Sequence, residues 1–397
     1  MKIAIIAYGF SGSTLPLAKH LRKRGHIVTC FYLVDPGTSS LEGIDFDCSY
    51  LRPGIHTVKS SFVNQYFVDD EILIYTVVLV RKRQNLGNTI LNKIIGKIDH
   101  NTIYGLCDRI KKEKYDLINL VGHTHPMELI GKYLLDQKLF YSLHEVMKNH
   151  EEAKADANVA ASFALKNGIP IIVHSLKSFN DISTFSRKLG NTSFLKLIRF
   201  GMFETFQEYR QMGYNPEISD NFLLFIGYIL PYKGLSILYD ACELLEKERI
   251  LNFKIVVAGK GYDPILPKLK ANKHFILKNK YITNQEFVDL ISSCKSVVCP
   301  YLSASQSGIP QVASIFSKPV IASNVGAFPE VIRTGKNGIL IESANKEELA
   351  AAINKIMCDN QYYDNLSPQL LGADESFLYD WNFICNQYED FFNEIVN

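Results

Sequence analysis

From residue 2 to about residue 358, short runs of Ile, Val, Leu and Phe alternate with longer segments whose apolar residues recur every three or four positions. The runs at 2–7, 27–33, 72–80, 117–121, 139–143 and 170–173 lack the in–out alternation of a half-exposed strand, so they predict buried parallel strands covered on both faces. Helices fit between them. The segment 14–24 places Leu15, Ala18 and Leu21 on one stripe with Gly25 where a helix would stop, and 149–166 spaces Ala153, Ala157, Ala160, Ala161 and Ala164 in the same way. After a less regular stretch at 188–220 the alternation resumes. Strands are expected at 222–226, 253–258, 274–277, 296–299, 319–323 and 338–341, with helices at 234–247, 284–293, 307–317 and 346–358. The expectation is an α/β chain of two doubly wound units. The tail, 375–396, carries Phe377, Tyr379, Trp381, Phe383, Tyr388, Phe391 and Phe392 around a helix that must dock on its own domain or on the other.

Composition bounds the reading further. At 397 residues the chain exceeds one core, and 47% hydrophobic with 21% charged residues excludes disorder. A net charge of +2 gives no electrostatic case for nucleic acid. Basic runs at 19–24, 81–83 and 111–114 fall in the first third, either as solvated faces or as a surface for anionic lipid. The eight cysteines show no CxxC pair and no regular spacing against histidine, so reduced thiols are expected, with neither a disulfide framework nor a metal site. The start, MKIAIIAYGFSGS, reads as a first strand and not as a signal peptide, and no run nears the ~18 apolar residues of a membrane span.

Three places in the second half and two in the first carry candidate chemistry. The small-residue loop 303–308, containing Ser305, Gln306, Ser307 and Gly308, leads to Ile309 and a helix, and a helix start leaves unpaired N–H groups that favour an anion. An ordinary strand–loop–helix would read the same way. In FIGYILPYKG, Lys233 is presented after a strand and the turn at Gly227, where a cation can neutralise a diphosphate. KIVVAGKG ends in a GxG at Gly261, either a plain turn or a close approach to a ligand, with Lys280 and Tyr281 beyond the next strand. In the first half, YGFSGST with Gly9 and Gly12 opens a helix but is no full GxGxxG. His144 follows a strand and either orients a hydroxyl or is a satisfied structural histidine. His123 and His125 are read as non-ligands.

Between 299 and 340 the sequence CPYLSASQSGIPQVASIFSKPVIASNVGAFPEVIRTGKNGIL strongly resembles the nucleotide-sugar region of retaining GT-B glycosyltransferases of the glycogen-synthase-like family 4. The resemblance extends over nearly the whole chain, strongest at 222–341. It implies two Rossmann-like domains facing a central cleft: an acceptor domain at 1–190, a nucleotide-sugar domain at 191–375, and a C-terminal helix at 376–397 crossing back to the first. It assigns the donor to Gly12, Gly227, Tyr228, Gly261, Tyr281, Ser305, Gln306, Ser307, Gly308 and Ile309. Catalytic roles go to Lys233 on the diphosphate and His144 near the anomeric carbon. Two departures stand out. Tyr228 replaces the family's arginine, and Ala304 and Val312 stand where many members carry a pair of glutamates, as in a subgroup with a Gln-Ser-Gly loop.

The implied reaction is transfer of a sugar from a nucleotide diphosphate to a hydroxyl with retention, a donor phosphate oxygen helping to take the proton. No cofactor and no metal are expected. The acceptor is a glycan or lipid-linked, as in surface polysaccharide or glycolipid synthesis. The expected place is the cytoplasm, with peripheral contact at the inner membrane face through the N-terminal domain. Two other classes stay open: a non-catalytic GT-B subunit supporting an active partner, and a nucleotide-sugar epimerase of similar fold.

Overall fold

The computed structural model describes residues 1–35, 38, 40–45, 52–58, 60–67, 72–80, 89–147, 158–190, 193–213, 218 and 221–396. The chain divides into two compact units, one formed by Met1–Gly201 together with Asp380–Asn397 and the other by Met202–Tyr379.

The strands of the first unit are β1 (Lys2–Ala7), β2 (Ile27–Val34), β3 (Ser40–Leu41), β4 (Ile44–Asp45), β5 (Gly54–Thr57), β6 (Leu73–Val78), β7 (Leu117–Val121), β8 (Leu139–Leu143), β9 (Ile171–Val173) and β10 (Leu195–Leu197). Eight of them form one sheet in the order β10-β9-β8-β7-β1-β2-β6-β5, and β3 and β4 make a small separate hairpin. All neighbours in the large sheet run parallel except β5, which pairs antiparallel with β6. Burial explains the pairing, because β7, β8 and β9 are covered along their full length, and the polar Asn119 and Ser142 within β7 and β8 satisfy each other, the Ser142 hydroxyl donating to Asn119 Oδ1 at 2.8 Å.

The second unit holds a fully parallel sheet of β11 (Phe222–Ile226), β12 (Lys254–Ala258), β13 (Phe275–Lys278), β14 (Ser296–Cys299), β15 (Val320–Ser323) and β16 (Gly338–Ile341). Its order is β13-β12-β11-β14-β15-β16. Helix Leu235–Lys247 buries Leu235, Leu238, Ala241, Cys242 and Leu245, the inward stripe that its sequence spacing predicts. Each such leucine contributes roughly 1.5–3 kcal/mol by leaving water, so a charge at Leu238 would break the layer.

Several boundaries differ from the sequence reading. The first helix runs Ser11–Lys23 and starts three residues early, because Phe10 adopts a left-handed backbone (φ 59°, ψ 26°) that turns the chain abruptly out of β1. The helix expected over 149–166 has its described part at Val159–Lys166, where the Asn158 side chain accepts the Ala161 N–H at 2.8 Å; residues 149–157 lie outside the described residues. The tail is not one helix from residue 375. A 3-10 stretch, Ala373–Tyr379, is non-helical at Glu375, and Asp380 then caps a separate helix, Trp381–Val396, by accepting the N–H groups of Asn382 (2.8 Å) and Phe383 (3.2 Å).

That last helix is built into the first unit. It buries Trp381, Ile384, Cys385, Tyr388, Phe391 and Phe392 on one face. Phe391 packs edge-on to Phe140 with ring centres 5.0 Å apart, and Glu389 meets Arg24 at 2.7 Å. Gly201 is pressed so closely on the Trp381 indole that a methyl group there would lie 2.4 Å from the ring. All described cysteines are free thiols, buried except Cys358.

Candidate active site

In the second unit the strand order reverses between β11 and β14, and the carboxyl ends of strands at such a reversal form a crevice that binds ligands. The loops on its two sides are clasped. Leu302 N–H donates to the Tyr232 carbonyl at 2.7 Å, and Gly234 has a left-handed backbone with the Pro300 carbonyl so near that a Cβ would lie 1.8 Å from its oxygen. No residue but glycine fits there. The clasp turns Lys233 back over the end of its own strand. Its ammonium is 5.1 Å from the centre of the Tyr301 ring and 3.3 Å from where a Cβ on Gly227 would be. Among the described residues it has no carboxylate partner. Burial pulls its pKa below that of an ordinary lysine, while the neighbouring Cys299 works the other way. A half-buried cation without a counter-ion is a fixed seat for an anion.

The loop opposite differs from the sequence expectation. The helix begins at Ile309, not 307, and ends at Ile315, with Pro310 in its first turn. Proline has no N–H, and that of Ile309 is taken by the Ser307 hydroxyl at 3.3 Å, so the row of open main-chain donors at 306–309 is shorter than expected. The Ser307 side chain also meets the buried Tyr301 hydroxyl, which ties the loop to the ring over which Lys233 lies. Gly308 has a right-handed backbone, so conformation does not require glycine. Packing does, because a Cβ would fall 2.5 Å from the Phe203 ring. Ser305, Gln306, Ser307 and Ile309 are half-buried. Ala304 and Val312, at the positions of the family's carboxylates, are 8% and 1% exposed, which accounts for the apolar residues: a carboxylate there would be desolvated.

Past their strand ends the loops after β11 and β12 continue to pair. Ile229 N–H donates to the Lys260 carbonyl (3.1 Å), Tyr262 N–H donates to the Ile229 carbonyl (3.0 Å), and Ile229 bridges Gly261. A Cβ on Gly261 would lie 2.0 Å from the Ile229 oxygen, a packing reason for this glycine. Asn279 then locks the third loop to the second, its Oδ1 accepting the Gly261 N–H at 3.1 Å and its amide donating to the Gly261 carbonyl at 3.2 Å. Because Ile229 faces inward, Tyr228 faces out and is 65% exposed, as are Tyr262 (71%) and Tyr281 (53%). Lys280 is paired with Glu286 at 3.1 Å. Sequence reasoning missed Asn279, Tyr301, Tyr262 and Phe203; Tyr301 lies in the 299–340 segment, and the other three belong to no motif. Only the aromatic after Pro300 hinted at a ring under a cation.

In the first unit the expected opening at Gly12 is filled. Its N–H donates to the Glu42 carboxylate, whose carbon would be 3.0 Å from a Cβ on Gly12, and the Ser11 hydroxyl donates to the Glu42 carbonyl at 2.6 Å. His144 is 8% exposed and stacked on Phe10, ring centres 3.6 Å apart and planes 19° off parallel. Burial, with His174 and His123 nearby, holds its pKa well below the usual histidine value, so its imidazole is neutral at pH 7. His144 and Lys233 thus belong to different units. His123 lies 3.6 Å from the Glu145 carboxylate and His125 lies 2.9 Å from Glu128, so each has an acidic neighbour that spacing alone did not show. Among the described residues no group of three His, Cys, Asp or Glu is arranged to hold a metal.

The basic runs are partly engaged. Lys19 lies 3.9 Å from the centre of the Tyr66 ring, Arg24 pairs with Glu389 at 2.7 Å and Lys111 with Asp136 at 2.9 Å, while 81–83 lie outside the described residues. No helix among the described residues is long and apolar enough to cross a membrane.

Residues 213–369 match the family described as Glycosyl transferases group 1. An uncharacterized glycosyltransferase of Methanocaldococcus jannaschii is 29% identical over 169 residues, a match spanning 41% of this chain and 44% of that relative's length. Another from the same organism is 25% identical over 366 residues, spanning 88% of this chain and 82% of the relative. The fold is similar to that of Anabaena HepE crystallised with UDP and glucose, with a TM-score of 0.62 at 15% identity, covering 99% of this chain and 100% of that one. The architecture is therefore α/β of the GT-B type, and residues 213–369 are similar to group 1 glycosyltransferases.

Proposed function

We propose that the chain is a retaining hexosyltransferase that moves a sugar from a nucleotide diphosphate to the hydroxyl of a glycan or lipid-linked acceptor, in surface polysaccharide or glycolipid synthesis. The observation that carries this reading is Lys233: a half-buried ammonium with no carboxylate partner among the described residues, at the strand reversal, beside a loop of hydroxyl and amide side chains. The UDP and glucose bound by HepE and the glycosyltransferase names of the archaeal relatives support the same donor class.

In this reading Lys233 neutralises the diphosphate as the bond from the anomeric carbon to the phosphate oxygen breaks. Ser305, Gln306 and Ser307, with the remaining main-chain donors of 306–309, complete the seat, and the outward faces of Tyr228 and Tyr281 flank the nucleotide. The acceptor oxygen forms the new bond on the face the phosphate leaves, and its proton passes to a phosphate oxygen of the departing nucleotide. His144, neutral and fixed by the Phe10 stack, orients a sugar hydroxyl. Calorimetry against UDP-, GDP-, ADP- and dTDP-sugars tests the donor. Hydrolysis and transfer of the sugar that binds, in the parent and in His144→Ala, then test the chemistry. Expected are micromolar binding of one nucleotide sugar, slow hydrolysis without acceptor, and loss of transfer in His144→Ala at unchanged donor affinity. Binding without any turnover would mark a non-catalytic subunit. Conversion of the free nucleotide sugar would mark an epimerase.

A further inference from the structure

Five adjacent strands of the first sheet, in the order β10, β9, β8, β7, β1, each release just past their carboxyl ends one ring: Phe200, His174, His144, His123 and Phe10. The rings make a continuous row. Phe10 and His144 centres are 3.6 Å apart, His144 and His174 5.0 Å, His144 and Phe200 4.5 Å, and His174 and Phe200 4.2 Å. Register places the two central histidines side by side, since Leu143 pairs with Val173 and each histidine is the next residue.

His174 is the member that the proposed chemistry leaves without a task. Its Nδ1 is 2.7 Å from the Ile198 carbonyl, an acceptor only, so Nδ1 carries the proton and Nε2 is a bare lone pair. Nε2 is buried and has no hydrogen-bond partner among the described residues, on a residue 7% exposed. It belongs to the wall of a cavity of about 20 Å³, also lined by Thr14, Asn119, Ser142 and His144. A cavity of that size with polar walls has room for a water molecule. An unmet acceptor in such a cavity is expensive unless a donor fills it.

We propose that His174 is a positioning residue for His144: its Nε2 accepts a hydrogen bond from a water held in this cavity, and the hydrated wall and the adjoining ring together fix the His144 imidazole in one tautomer and one orientation. The idea rests on the reading of His144 as the group that orients the sugar, but its first test does not.

The tautomer of His144 is read by nitrogen NMR of the full chain labelled at histidine, in the parent and in His174→Asn, His174→Phe and His174→Gln. Asn keeps an N–H near the Nδ1 position for Ile198 but removes Nε2; Phe keeps the ring and loses both nitrogens; Gln restores an amide oxygen near Nε2. One tautomer is expected in the parent and in His174→Gln, and a mixture in the other two, with all four proteins folded by thermal melting. A single unchanged tautomer in His174→Asn and His174→Phe overturns the proposal, as does a crystal structure showing no water on Nε2. The second test takes the nucleotide sugar that calorimetry selects. Turnover is expected to fall about tenfold in His174→Asn, with donor KM unchanged and recovery in His174→Gln, because misplacement of an orienting group acts on the chemical step. If His144→Ala itself leaves turnover intact, the role assigned to His144 fails, whereas the tautomer experiment still decides the contact between the two histidines.

Discussion

Among their parallel strands both sheets reverse their order once, between β7 and β1 in the first unit and between β11 and β14 in the second, and the two reversals are furnished in opposite ways. In the second unit the flanking loops clasp through their main chains, and the side chains gathered there are polar: an ammonium with no carboxylate partner among the described residues, the hydroxyls and amide of 305–307, and outward tyrosines. In the first unit side chains do the filling. Phe10 lies over His144, and Glu42 takes the N–H of Gly12. Topology therefore dictates where a crevice lies, while the residues one to ten places past each strand decide whether it is a prepared polar seat or an occupied one. A prepared seat suits a ligand class common to many proteins; an occupied one must be rearranged by whatever binds.

The comparison is tested most severely by Lys233→Ala. Loss of a charge-assisted contact should weaken nucleotide diphosphate binding by about 1.5–3 kcal/mol in calorimetry. The melting temperature of the free protein should change little, since the cost of desolvating a cation with no carboxylate partner among the described residues offsets its contact with the Tyr301 ring. Equal affinity in parent and variant would remove the seat from the second unit. Next is Gly308→Val, which forces a side chain into the Phe203 ring and should destabilise the free protein by about 1–3 kcal/mol in denaturant unfolding, as overpacking does. Phe203→Leu added to it should recover part of the loss. A free protein of unchanged stability would mean that glycine is kept there for the ligand alone.

Acid should act on the first unit. Burial pushes His174 down to about 4 and His144 well below 6.5, so between pH 6.5 and 4 the unfolded chain takes up protons that the folded one refuses. Stability from these groups is complete above pH 6.5 and is lost as the pH falls toward 4, on the order of 2 kcal/mol at pH 5 for His174 alone. Denaturant unfolding at pH 7 and pH 5 measures it, and His174→Phe should show the smaller loss; identical losses would remove His174 as a cause. The smallest effect belongs to Tyr228→Arg. At 65% exposure an added guanidinium is well hydrated, so it should tighten donor binding by about 1 kcal/mol at most, and less in high salt. Weaker binding in the variant would show that the tyrosine ring itself touches the nucleotide.

Much of the fold was readable because parallel strands buried on both faces leave runs with no polar residue, as in FLLFI at β11 and IIV at β9. The reversals were not, since strand order is set by pairing between segments far apart in the chain. The glycines were seen but not their reasons: GxG at 259–261 signals a turn, yet what excludes a side chain at Gly261 is the Ile229 carbonyl, thirty-two positions earlier. Likewise Ser307 gave no sign that its hydroxyl would take the Ile309 N–H and thin the expected row of donors. Contacts of this kind depend on which loops meet, and single-chain patterning carries no record of that.

The helix Trp381–Val396 has a consequence in time as well as in space. It completes the first unit, yet on a ribosome it is made after the whole of 202–379. The first-synthesised unit therefore waits with the surface for Trp381, Phe391 and Phe392 uncovered, while the unit encoded in one uninterrupted stretch has everything it needs earlier. The second unit has its whole sequence before the first unit has its covering helix, so the amino-terminal unit is sealed last.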